Sequence, residues 1–257
     1  MTPAGQRRTL AAILDAGCPV VSFDLFDTLL LRGTRPELQR FGDAARAQHA
    51  ALTAAGLASP GAEALYRGRL RAHKAAYDRV RRTGAGEVRH ADILAEVCRL
   101  CALTPDAAAI LAEAELDHER RALRPNRPLL AVLYQLRARR RVVIASDMYL
   151  SAAQVGRLIA WTAPDLAGIP LHVSSEVGAS KRRGDLFAAV AAAEAVAPAA
   201  MLHVGDDPVN DVARALAAGC RALHLPRPAP WRAARAARAA WVRWRLARRG
   251  WLEGAVP

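Results

Sequence analysis

Lysine is nearly absent from this 257-residue chain: of 37 basic residues only Lys74 and Lys181 are lysines, and the rest are arginine. A drift toward Arg and Ala codons accounts for the background, so a retained lysine needs a chemical reason. Cysteine is scarce as well. Cys18, Cys98, Cys101 and Cys220 are too few and too scattered for a disulfide framework. The Cys98/Cys101 pair falls in a helix-like segment with no second ligand pair nearby, which reads as buried thiols rather than a metal site. No apolar run reaches the roughly 18 residues that span a bilayer, and Arg7, Arg8 and Asp15 interrupt any signal-peptide core. The chain therefore reads as a soluble cytoplasmic protein. Acid is missing from one end: residues 227–257 hold eight arginines against one acid, Glu253, and so carry +7 of the net +13.

What is present is apolar enough, at 53% hydrophobic residues, to bury a sizeable interior. Five short β-branched or apolar runs are bounded by Gly, Pro, Asp or Ser: 19–25 (PVVSFDL), 141–147 (RVVIASD), 169–175 (IPLHVSS), 201–207 (MLHVGDD) and 220–226 (CRALHLP). After residue 126 they alternate with helical periodicity near 128–139, after Ser151, over 184–196 and over 207–218. Such alternation predicts a Rossmann-like α/β core with a parallel sheet, which binds ligands beyond the carboxyl ends of its strands. Between Arg32 and Pro125 no strand is readable. Helix starts are marked at Thr34-Arg35-Pro36, Ser59-Pro60 and Thr104-Pro105-Asp106, and apolar positions recur at three and four, as in Ile93, Leu94, Val97, Leu100 and Cys101. The expected organisation is a core of residues 1–32 and 126–226, an inserted all-helical cap over 33–125 and a basic tail over 227–257. The stretch RPNRP (124–128) reads as the hinge of the insertion.

The strand ends carry the chemistry. Asp24 closes the first strand and Ser146 the second, Lys181 follows the third, and the fourth ends in Gly205-Asp206-Asp207 with Asp211 four residues on. Gathered at one sheet edge, these groups could bind a divalent cation and a phosphate together. Carboxylates are hard oxygen ligands that suit Mg²⁺. Lys181 and Ser146 would hold the phosphoryl oxygens while Asp24 attacks phosphorus. A strand-end Asp is also a common helix cap, and Asp207 could cap the helix after it. His118 and His203 read as structural.

The stretches FDLFDTLL, VVIASD, GASKRRGDLF and HVGDDPVND resemble, in order, the four signature motifs of the haloacid dehalogenase-like hydrolase superfamily. The longer forms SFDLFDTLLLR, SDMYLS, SSEVGASKRRGDLF and LHVGDDPVNDV are similar to a bacterial branch found beside or fused to glycosyltransferases. The resemblance implies Asp24 as nucleophile, Ser146 and Lys181 as phosphate-binding groups, and Asp206 as a Mg²⁺ ligand supported by Asp207 or Asp211. The expected function is then a Mg²⁺-dependent phosphohydrolase acting through an aspartyl-phosphate on a small phosphorylated metabolite, such as a sugar phosphate.

One position departs from the superfamily's phosphatases, which carry a second Asp two residues after the nucleophile as general acid. Here it is Phe26, which leaves only its backbone carbonyl for a metal. Asp27, one place further, would point to the opposite side of an extended chain and would take over the acid's role only through a local bend; it is expected to hydrogen-bond in the turn toward the cap. An aromatic at this position also resembles the metal-independent dehalogenases. A third reading is a non-catalytic phosphoryl-binding scaffold. Three facing carboxylates need a cation, which favours the Mg²⁺ reading. In the tail, helical spacing places Trp241, Trp244 and Trp251 on one side and Arg232, Arg235 and Arg243 mostly on another. The expected roles are packing on the core, or docking on an anionic membrane surface or a partner enzyme. Nucleic acid ranks last, because no motif for it accompanies the charge.

Overall fold

The computed structural model describes residues 2–84 and 86–252. In chain order, helix α1 (Pro3–Asp15) and strands β1 (Val20–Phe23) and β2 (Leu30–Leu31) precede four helices, α2 (Glu37–Ala54), α3 (Ala62–Thr83), α4 (His90–Leu100) and α5 (Ala107–Ala122). There follow β3 (Arg124–Pro125), α6 (Arg127–Arg137), β4 (Arg141–Ser146), α7 (Ala152–Thr162), β5 (Leu171–Val173), α8 (Ser174–Val177) and α9 (Asp185–Ala193). The chain ends with β6 (Met201–Gly205), α10 (Arg214–Ala217), β7 (Arg221–His224) and α11 (Ala229–Arg248). These elements form two compact units, one of residues 2–32 and Leu123–Arg227, the other of Gly33–Ala122 and 228–252.

The first unit is built on a five-stranded parallel sheet in the order β5, β4, β1, β6, β7. Central β1 is buried along its whole length, as expected of a strand covered on both faces. Its register sets Val20 beside Arg141 and Met201, and Phe23 beside Ile144 and Val204. Because β1, β4 and β6 run the same way, their carboxyl ends share one edge. On one face Val20, Val143 and Met201 pack against Leu186, Phe187 and Val190. Thr2 caps α1 by accepting a hydrogen bond from Gly5 N at 3.2 Å, and Ser151 opens α7 with a reciprocal capping box to Gln154.

Three local expectations are modified. The run 169–175 is extended only over Leu171–Val173, and Ser174 starts a helical turn. The segment after Asp207 opens as a π-helical turn, Pro208–Ala213, before α10. Residues 124–126, part of the expected hinge 124–128, pair with the segment that leads out to the insertion. β3 pairs antiparallel with β2, and Asn126 donates to Leu29 O and, through Nδ2, to Thr28 O, both at 2.8 Å.

In the second unit α2 packs on α3, α5 and α11. Its interior is charged as well as apolar: the Arg69 guanidinium bridges Glu115 at 2.7 and 3.0 Å, His90 Nε2 lies 3.1 Å from the same carboxylate, and Arg40 pairs with Glu119 at 3.0 Å. Cys98 is buried, with burial raising its thiol pKa. Helices α2, α3 and α5 each begin three residues after the marked hydroxyl, and for α2 and α3 that hydroxyl is not at the cap position. Pro36 and Gly61 occupy the cap positions of α2 and α3 without side-chain bonds, while Ser59 Oγ lies 2.7 Å from His49 Nδ1. The basic segment forms α11, which is buried through Val242 and Leu246; Trp251 packs edge-on against Tyr66. Trp241 and Trp244, expected on a packed side, are 51% and 55% exposed. No helix among the described residues is long and apolar enough to cross a membrane.

Candidate active site

Asp24 follows β1 directly, its backbone N–H continuing the ladder to Val204 O at 2.9 Å. Ser146 is the last residue of β4. Lys181 lies in the loop between α8 and α9, which is closed by Ser180 N donating to Asp185 Oδ1 at 2.7 Å and Arg183 N donating to Ser180 Oγ at 3.3 Å. From there the fully buried ammonium donates to Asp24 Oδ1 at 2.6 Å and to Asp211 Oδ1 at 2.8 Å. The retained lysine is thus the cation between one carboxylate that follows β1 and one in the π-helical turn after β6.

Asp211 is fixed on every side. Its Oδ1 also accepts from His203 Nε2 at 3.2 Å and its Oδ2 from Asp207 N at 3.0 Å. The carboxylate lies so close over Gly205 that a Cβ there would come within 2.3 Å of it, so only glycine fits between β6 and this side chain. Asp206 is half-buried, and Thr28 Oγ1 donates to its Oδ1 at 3.4 Å. Asp24, Asp206 and Asp211 each offer an oxygen within 4.8 Å of the others, and they are the acidic or metal-ligating group of this kind among the described residues.

Asp207 does not join them. Its Oδ1 caps the π-helical turn, accepting from Val209 N at 2.8 Å and Asn210 N at 2.9 Å, and its Oδ2 accepts from Asn210 Nδ2 at 3.2 Å. Of the two supporting acids left open by the sequence, the structure places Asp211 at the cluster and Asp207 at a helix start.

The electrostatics show how little of this negative charge is compensated. Burial pushes Asp24 up to about 7; Lys181 opposes the rise, and Asp211 and Asp206 add to it. Burial also pushes Asp206 up to about 6, helped by Asp27, Asp211 and Asp207. For Asp211 burial acts in the same sense but is outweighed by Lys181 and His203, which hold it well below the usual carboxylate range. Lys181 is held above its ordinary value because Asp211 and Asp24 outweigh its own burial. Burial is the main cause on both acids, and the neighbouring carboxylates add to it, on Asp24 against the opposing Lys181. Three hard oxygen donors with unmatched charge fit a small divalent cation such as Mg²⁺. The Ser146 hydroxyl is 1% exposed and has no hydrogen-bond partner among the described residues, an arrangement that a bound oxyanion would satisfy.

Phe26 brings a ring, and no side-chain oxygen, to the position two after Asp24. Its buried ring lies under the Arg32 guanidinium, 4.0 Å from the ring centre. The chain then bends sharply: Asp27 has φ +65°, its N–H bonds Leu30 O at 2.7 Å, and its Oδ1 accepts from Arg32 N at 3.1 Å, with Arg227 at 3.8 Å. Its carboxylate is thereby committed to the turn.

His203 is a contributor that the sequence did not flag. Fully buried on β6, it is held neutral, with burial and then Lys181 lowering it to about 4. Asp211 can only accept, so Nε2 carries the proton and Nδ1 accepts from Ser22 Oγ, 3.0 Å away. The signal available was position: residue 203 is two before Gly205 and shares its face of the strand.

No family model and no curated protein matches the chain. Solved structures do. A 2-haloacid dehalogenase from Pseudomonas syringae pv. tomato superposes with a TM-score of 0.53 at 21% identity, covering 80% of this chain and 86% of its own. A HAD family enzyme from Bacteroides thetaiotaomicron, crystallised with magnesium and inorganic phosphate, gives 0.51 at 13% identity, covering 81% and 94%. The chain has the haloacid dehalogenase-like fold. Within that fold the carboxyl-end edge of the sheet is where Asp24, Asp206, Asp211 and Lys181 meet.

Proposed function

We propose that the chain is a Mg²⁺-dependent phosphohydrolase whose nucleophile is Asp24. The reading is carried by one observation: Lys181 is buried between Asp24 and Asp211 while the neighbouring acids remain undercompensated. Asp24, Asp206 and Asp211 would hold Mg²⁺, which would supply charge neutralisation for an incoming phosphate. An oxygen of Asp24 attacks phosphorus, the bond to the leaving oxygen breaks, and an aspartyl-phosphate forms; water then attacks phosphorus and releases Asp24 and inorganic phosphate. Lys181 orients Asp24 and neutralises the phosphoryl oxygens, and the Ser146 hydroxyl donates to one of them. The magnesium and phosphate bound by the Bacteroides enzyme support the reading. A small phosphorylated metabolite is the proposed substrate class, with sugar phosphates first because of the branch that the motifs resemble.

Phe26 favours a second reading, a metal-independent dehalogenase, and the Pseudomonas neighbour bears that activity in its name. The acid cluster weighs against it, because displacing halide needs no second and third carboxylate beside the nucleophile. The test is turnover of a panel of phosphate esters and of 2-haloacids, with and without Mg²⁺, by the unmodified chain and by Asp24→Asn. Phosphate release that needs Mg²⁺ and falls by roughly 10³ or more in the variant is expected. Metal-independent halide release would replace this reading by the second, and an Asp24→Asn protein as active as the parent would remove the covalent mechanism.

A further inference from the structure

Helix α11 has two apolar sides, and the fold uses one. At 100° per residue, Val242 and Leu246, with the partly buried Arg235 and Ala239, form the stripe that faces the second unit. On the opposite side Ala233, Ala237, Ala240, Trp244 and Ala247 are all exposed, together with Arg248 near the helix end, and at the margin of this face Trp241, also exposed, lines a cleft with Gln39 and Gly42 of α2. Exposed arginines border that face along both edges, Arg238 and Arg245 on one and Arg232 and Arg243 on the other. Arg245 stacks over Trp241 and Arg248 over Trp244, at 4.7 and 5.2 Å. The helix carries six arginines and no acid.

We infer that this face of α11 docks the protein on an anionic lipid surface. Alanine and tryptophan give an apolar strip shallow enough for the headgroup boundary, where indole rings reside by preference. Arginines on both flanks reach lipid phosphates at the same depth, and the absence of acid removes repulsion from a negative leaflet. A second copy of the chain does not fit, since pairing two such faces would bring two acid-free rows of arginine together. Because Val242 and Leu246 face inward, docking needs no unfolding of the helix.

The experiment is co-sedimentation of the full chain with vesicles of neutral phosphatidylcholine and with vesicles containing phosphatidylglycerol, read together with tryptophan emission. Binding to the anionic vesicles alone, a blue-shifted emission, and release by high salt are expected. Trp241→Ala with Trp244→Ala should abolish the blue shift and weaken binding at least about tenfold, while Arg232→Gln, Arg238→Gln and Arg243→Gln together should weaken it about 10²-fold. All five positions are exposed, and an unchanged thermal melt confirms that the variants fold. Equal binding to neutral vesicles, no binding to anionic ones, or full binding by both variants would overturn the inference. So would capture by an acidic polypeptide without vesicle binding, which would assign the face to a protein partner.

Discussion

Phe26 and Arg32 together set what the first motif can do. With the ring buried under the guanidinium, no carboxyl stands two residues after the nucleophile, and the Asp27 Oδ1 is engaged by Arg32 N in the turn. General acid catalysis is worth about 10² to 10⁴ in rate and matters most for poor leaving groups. The proposed phosphatase should therefore hydrolyse aryl and acyl phosphates far faster than alkyl phosphates. Restoring a carboxylate by Phe26→Asp alone should help little, because Arg32 beside it would hold the new group ionised. Phe26→Asp combined with Arg32→Leu should accelerate the alkyl esters by up to about 10². The measurement is kcat/KM against leaving-group pKa for all three proteins. A shallow slope in the unmodified chain would show that some other acid already protonates the leaving group.

At the scale of elements, packing decides what local signals could not. Alternation of strand and helix after residue 126 was enough to read the parallel sheet, and parallel strands oblige their carboxyl ends to share an edge; that is why Asp24, Lys181, Asp206 and Asp211 could be nominated together. The choice between Asp207 and Asp211 could not be read, because it depends on a π-helical turn in which the first acid caps and the second swings toward Lys181. His203 looked structural because its partners, Ser22 and Asp211, are distant or out of phase in sequence. The start of α3 was misplaced because Ser59 shares its hydroxyl between His49 and the N–H of Gly61, which takes the cap position. The contact of α3 with α4 was equally hidden. A Cβ on Gly68 would lie 2.8 Å from Cys101 Sγ, so Gly68→Ala should destabilise by about 1–3 kcal/mol through overpacking. Cys101→Ala in the same chain should recover much of the loss. A double-mutant cycle from urea unfolding checks this, and additive effects would mean that the two helices do not meet through this pair.

For the whole molecule, the undercompensated acids couple stability to pH and to the proposed metal. Asp24 and Asp206 have folded-state values of about 7 and about 6, above the ordinary 3.8. A raised carboxyl binds its proton more tightly in the folded chain, so its contribution is fully present below the unfolded value and is lost as pH rises through the folded one. Asp211 is depressed and Lys181 raised; Asp211 loses its stabilising contribution only on acidification below the ordinary carboxylate range, and Lys181 only at strongly alkaline pH. Neither slope falls between about pH 4 and 8. Buried His203 and His73, lowered to about 4, give the opposite slope between about pH 4 and 6.5, so without divalent cation the acids' share should appear as a decline in melting temperature above about pH 6.5 and as a damped rise below it. Mg²⁺ would compete with the same protons, so its stabilisation should be small near pH 4 and grow toward pH 8. At a hundred times its dissociation constant the gain is about 2.7 kcal/mol, or very roughly 5 to 11 °C at the 2 to 4 °C per kcal/mol of chains this size. Thermal melts across the window with and without millimolar Mg²⁺ measure the gap directly, and Asp206→Asn should shrink it and remove that residue's declining contribution from the metal-free profile. A gap independent of pH, or one that Asp206→Asn leaves intact, would place the cation elsewhere and return the acid cluster to a purely structural role around Lys181.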